Sequence, residues 1–102
     1  MDAKDKIINY LETDPEIYKI INSKEHLLIF KEINKNPINF VDLSKKIDFK
    51  KVSILYNILD NLIAKKFISK VNIDKNELYY ITDTGKEFIN LYAKAKKDFN
   101  LI

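Results

Sequence analysis

Ile38–Ile68 reads INFVDLSKKIDFKKVSILYNILDNLIAKKFI, two apolar helical stripes separated by a break. In the first, Phe40, Leu43 and Ile47 share one face, with the small Ser44 between them and Val41 at the edge. Asn36–Pro37 is a turn signal that pushes Asn36 toward extended backbone, so Asn39 or Phe40 opens this brief helix. Asp48–Lys50 ends it. Lys51–Lys65 is the strongest helix in the chain, with Val52, Leu55, Ile58, Leu59 and Leu62 along one stripe. Lys50, Ser53, Asn57, Asp60 and Asn61 lie around its other side, with Ile54 and Tyr56 at the flanks.

Downstream the period changes from helical to alternating. Phe67–Ile73 reads as a strand and Leu78–Thr82 as another, with Asp74-Lys75-Asn76-Glu77 as hairpin turn residues between them. Thr82 or Asp83 caps a last helix whose stripe is Gly85, Phe88, Tyr92, Ala95, Phe99 and Ile102, alternately three and four residues apart. Upstream, Asp2–Glu12 places Ala3, Ile7, Tyr10 and Leu11 at helical spacing. Asp14–Pro15 then predicts a helix start, with Asp14 as N-cap and Pro15 in the first helical position, carrying Ile17, Ile20 and Ile21. Asn22 or Ser23 caps a further helix, Lys24–Asn34, whose apolar run Leu27–Phe30 implies burial on several sides. The whole is one domain over residues 1–102, mainly α with a small β-hairpin (α+β). It divides into N-terminal helices over 2–22, a helical core over 24–68 containing the helix pair 39–65, a hairpin over 67–82 and a last helix over 83–102.

Composition removes whole classes of function. The chain has no Cys, no Trp, one Gly and one His, and all eighteen of its basic residues are Lys. Without Cys there is no disulfide scaffold, thiolate zinc site or thiol nucleophile. A single His builds no zinc triad, and a single Gly builds no phosphate-cradling loop. The acidic residues form no paired constellation for acid–base work. Lys without Arg offers point charges and no bidentate fork, so phosphate and guanine are met by ammonium groups alone. The longest apolar runs, Leu27–Phe30 and Leu78–Ile81, are too short for a signal peptide or a membrane span. The expectation is a cytoplasmic binding protein with no enzymatic activity, no metal and no cofactor.

The order helix, short helix, tight turn, longer helix, hairpin, helix is that of a winged helix-turn-helix. Ile38–Ile68 resembles the helix-turn-helix core of MarR-type and ArsR-type regulators. Ser69–Leu91 resembles their wing and the T-x-x-G-x-x-[FL] entry to the last helix, here Thr82-Asp83-Thr84-Gly85-Lys86-Glu87-Phe88. That entry is similar to the one in small archaeal winged-helix proteins whose final helix dimerises. The resemblance covers residues 24–100. Two departures stand out: Asp48 and Lys65-Lys66 occupy places where such proteins often have Gly, and Lys replaces the usual Arg.

The resemblance implies double-stranded DNA as partner and a homodimeric regulator of transcription. A recognition helix enters the major groove with its N-terminal residues at the base edges. Lys50 and Lys51 stand at that end, with Ser53, Tyr56 and Asn57 on the outer face. Asn57 suits adenine and Tyr56 a phosphate or a thymine methyl. Lys45 and Lys46 would face the backbone from the preceding helix, and Lys70, Lys75 and Asn76 from the hairpin. Charge agrees in sign: residues 1–48 hold eight Lys and nine acids, residues 49–102 ten Lys and six acids.

Other features have plainer explanations. Lys94, Lys96 and Lys97 read as a solvated helix face, His26 as a packed helix residue and Tyr79-Tyr80 as strand composition. The terminal stripes Ile7, Tyr10 and Leu11, and Phe88, Tyr92, Ala95, Phe99 and Ile102, predict a homodimer interface, on the premise that the core ends near Phe88. Two alternatives stand beside the DNA-binding regulator. One is a winged-helix module for a protein partner, favoured if Ile54 and Tyr56 are exposed together. The other is a non-specific nucleoid protein. The residues define no small-molecule effector, target sequence or sign of regulation.

Overall fold

The computed structural model describes residues 2–47 and 52–98, with side chains to residue 96. Its elements are α1 (Ala3–Thr13), α2 (Ile17–Ile21), α3 (Lys24–Lys35), α4 (Phe40–Ile47), α5 (Val52–Ala64), β1 (Ile68–Ile73), β2 (Asn76–Ile81) and α6 (Asp83–Asp98). Side-chain caps set the starts of α1, α3, α4 and α6, the last through Thr82, which accepts from the Gly85 amide at 3.0 Å. Asp2 accepts from the Asp5 amide at 2.9 Å, Ser23 from the His26 amide at 3.2 Å and Asn39 from the Asp42 amide at 2.8 Å. The Asn39 side chain also donates, through Nδ2, to the Asp42 carboxylate at 3.1 Å.

The α2 start differs from the sequence expectation. Asp14 and Pro15 lie outside the α-helix, in a tighter turn that leads into it: the Asp14 carbonyl accepts from Ile17 at 3.0 Å and the Pro15 carbonyl from Tyr18 at 3.1 Å. The Asp14 carboxylate accepts from the Glu16 amide at 3.2 Å and also meets Lys65, 2.6 Å away just past the end of α5. Glu16 joins the same ammonium at 3.2 Å. This bridge holds the α1–α2 corner against the end of α5. It also holds the Asp14 carboxyl below its ordinary range, through the Lys65 hydrogen bond first, and raises Lys65 correspondingly.

One core runs through the molecule. Phe30 of α3, Phe67 before β1 and Phe88 of α6 form a stack with centroids 4.5 Å apart for Phe67–Phe88 and 5.5 Å for Phe30–Phe67. Around it pack Ile20, Ile29, Ile33, Leu43, Leu55, Leu59 and Leu62, all fully buried. Among the described residues no polar side chain is fully buried. The α6 stripe past Phe88 is covered by the chain's own α1. Tyr10 meets Phe88 edge-on at 5.3 Å, and Ile7, Phe88 and Ala95 retain 3%, 1% and 1% exposure. The core therefore continues well past Phe88.

Candidate nucleic-acid interface

Helices α4 and α5 are the predicted pair, and α5 presents its polar side outward. Leu55, Ile58, Leu59 and Leu62 are buried, while Ser53, Tyr56, Asn57, Asp60 and Asn61 are exposed. The α5 end is closed by a Schellman motif. The Phe67 amide bonds the Leu62 carbonyl at 3.0 Å and the Lys66 amide bonds the Ile63 carbonyl at 2.9 Å, with Lys66 left-handed at φ 64. Lys66 thus takes the place where related folds often have Gly.

The hairpin is tighter than the sequence suggests. Its strands pair from Ile68↔Ile81 to Ile73↔Asn76, leaving Asp74 and Lys75 as a two-residue loop. Both have positive φ, 51 and 68, the combination of a type I′ turn. Asn76 is consequently the first residue of β2, and only Lys75 of the two stands in the loop. A third strand position was invisible in the sequence. Ile38 exchanges both backbone hydrogen bonds with Tyr79, at 3.0 and 2.9 Å, so the segment leading into α4 is stitched to the outer edge of the wing. This contact fixes the hairpin relative to the helix pair. The only local hint was a β-branched residue directly after Pro37.

The basic side chains are unequally available. Lys45 is exposed on α4. Lys46 lies 3.7 Å from the Glu32 carboxylate, which Lys35 also holds at 2.9 Å. These ammonium groups, Lys35 foremost, keep the Glu32 carboxyl below its usual range. Lys70 faces Glu77 diagonally across the hairpin at 3.9 Å, and Lys75 is exposed in the loop. Lys50 and Lys51 lie outside the described residues.

Apolar side chains share this surface. Val52, Ile54 and Tyr56 are 55%, 42% and 46% exposed, and Tyr56 stacks on Phe40 with centroids 4.1 Å apart. That stack braces α5 against α4 and steadies the Tyr56 ring. Tyr79 fills the space under the hairpin, and burial, aided by Glu77, Tyr56 and Asp60, pushes its phenol up to about 12. It is a neutral core group at any physiological pH.

The terminal stripes do not stand open as expected. Ile7, Tyr10 and Leu11 meet Phe88, Tyr92 and Ala95 inside one chain, so the premise that both stripes lack a cover is corrected. Phe99 and Ile102 lie outside the described residues.

No protein-family model and no curated protein matches the sequence. Solved structures do match by shape. The transcriptional regulator YodB from B. subtilis superposes with a TM-score of 0.67 at 16% identity, over 81% of this chain and 88% of that one. FabT from Streptococcus pneumoniae, solved in complex with DNA, gives 0.63 at 16% identity over 93% and 75%. The transcriptional regulator BldR from Sulfolobus solfataricus gives 0.63 at 19% identity over 98% and 84%. The fold is a winged helix. In that frame α4 and α5 are the helix-turn-helix, β1 and β2 the wing, and α1 and α6 the flanking helices. The expected resemblance to winged-helix regulators of the MarR type thus holds at the level of fold. Among the described residues, no helix is long and apolar enough to cross a membrane.

Proposed function

We propose that this winged helix is a cytoplasmic DNA-binding regulator of transcription that works as a homodimer. Its α5 enters the major groove, and its hairpin rests on the adjacent backbone or minor groove. The observation that carries this is the assembly of an outward polar face on α5 with a wing pinned beside it by the Ile38–Tyr79 pair. The same fold occurs in FabT, which was solved in complex with DNA. Ser53 and Asn57, one turn apart and exposed, serve as base readers, with Tyr56 braced for a phosphate or a thymine methyl. Lys45, Lys46, Lys50, Lys51, Lys70 and Lys75 serve the phosphates, with Asn76 beside the wing loop. Without Arg the sequence preference is modest.

One observation favours a second reading. Val52, Ile54 and Tyr56 are exposed together, and an apolar surface of that kind suits a protein partner. A salt titration separates the two. Binding to a labelled duplex weakens steeply with salt, and Lys50→Ala with Lys51→Ala lowers affinity and flattens the slope. If the double variant binds as the parent does, the protein-partner reading takes over.

A further inference from the structure

His26 is the chain's sole imidazole, and it joins two elements. On one side its Nδ1 lies 2.7 Å from the Oγ of Ser23, the N-cap of α3. On the other, Nδ2 of Asn61 on α5 lies 3.3 Å from Nε2. An amide nitrogen only donates, so Nε2 accepts and Nδ1 carries the proton given to Ser23. The Ser23 hydroxyl in turn donates to the Glu25 carboxylate at 3.3 Å. This relay is complete only for a neutral ring. A proton on Nε2 would meet the Asn61 N–H donor to donor, so either the ring or the amide must turn.

The relay borders a cleft of about 320 Å³ that α5 lines with Ile54, Asn57, Ile58 and Asn61. Asn57, one of the proposed base readers, thus stands one turn from the Asn61 anchor on the same wall. Among the described residues, Glu25 on α3 is the charged group facing the ring, and α5 lines the cleft with none that ionises. Burial outweighs Glu25 and holds the imidazole below its ordinary value.

We propose that His26 is a positioning residue for α5: its neutral ring holds Asn61, and with it Asn57, in the rotation that meets DNA, and protonation releases that hold and weakens binding. The proposal rests on the DNA-binding reading above. It is tested by titrating from about pH 7.5 to 5, a window in which His26 is the side chain with an ordinary value in range. Two quantities are followed: the side-chain amide resonances of Asn61 and Asn57 in the free protein, and the anisotropy of a labelled duplex selected from genomic fragments. Both are expected to follow one transition below pH 6.5, the ordinary imidazole value. Affinity falls about fivefold, the factor of one lost hydrogen bond.

His26→Gln, whose amide reaches toward Asn61 without titrating, keeps the neutral-pH affinity and loses the transition. Asn61→Ala also loses the transition, with affinity held at the acid-limb level. Wild-type affinity that is flat across the window, or a transition that survives in His26→Gln, overturns the proposal alone. Wild-type protein that binds no duplex at about pH 7.5 overturns the DNA-binding reading, and this proposal with it.

Discussion

Lys66 and Gly85 both sit against neighbouring carbonyls and have opposite needs. Lys66 is held left-handed by the Schellman bonds at the end of α5, a conformation that suits Gly. Lys66→Gly relieves about 1–2 kcal/mol of strain against about 0.4–1 lost to a looser unfolded chain, so stability rises by roughly 0.5–1 kcal/mol. Urea denaturation of the two proteins side by side measures this. Gly85 has no such φ; its requirement is space. A Cβ there would collide with the Phe67 carbonyl oxygen and press on Ile81 at 2.8 Å. Thr82 secures this close approach: its amide bonds the Phe67 carbonyl at 3.0 Å, and its Oγ accepts from the Gly85 amide at 3.0 Å. Gly85→Ala is therefore expected to destabilise by about 1–3 kcal/mol, seen as a lower thermal midpoint. The Thr-x-x-Gly motif was visible in the sequence, whereas the need for Gly at its fourth position follows from the approach of Phe67.

At the scale of elements, the Lys65 bridge ties the α1–α2 corner to α5 and makes stability depend on pH. The Asp14 carboxyl is depressed in the folded state, so its contribution is present above the unfolded value of about 3.9 and is lost as pH falls through the lower folded value. Lys65→Met removes that contribution. The urea midpoints of parent and variant should differ near pH 6 and converge toward pH 2; a gap that stays constant would show that the bridge adds nothing. Periodicity made α3 and α5 legible, because each buries a face whose pattern is local, and the two strands were read from β-forming residues on either side of turn residues. The Asp14–Lys65 bridge, the Ile38–Tyr79 pairing and the mutual cover of α1 and α6 were not legible. Each joins segments far apart in sequence, and no local pattern names its partner. Nor did pattern reveal that Lys46 and Lys70 have carboxylates nearby, since Glu32 and Glu77 reach them through tertiary packing and strand register.

For the whole molecule, the decisive quantity is how many phosphates a copy neutralises. Six lysines were assigned to phosphate, but Glu32 offsets Lys46 and Glu77 offsets Lys70. That leaves about four effective charges, and at about 0.9 counterions released per phosphate the logarithmic salt slope is near −3.6 per copy. A homodimer with its two α5 helices in successive major grooves, about 34 Å apart, doubles this to near −7. One protomer, at 43 × 26 × 21 Å, is wide enough to occupy one groove while its partner takes the next. Anisotropy titrations from about 50 to 200 mM salt, run with a stoichiometry measurement, give both numbers at once. Two chains per duplex with a slope near −7 match the dimer, and one chain with half that slope means that each copy binds alone. Glu32→Gln supplies the internal control. Freeing Lys46 steepens the slope by about one per protomer if α4 faces the backbone. If the slope does not move, α4 lies away from the phosphates, and the docking of the helix pair proposed here is wrong.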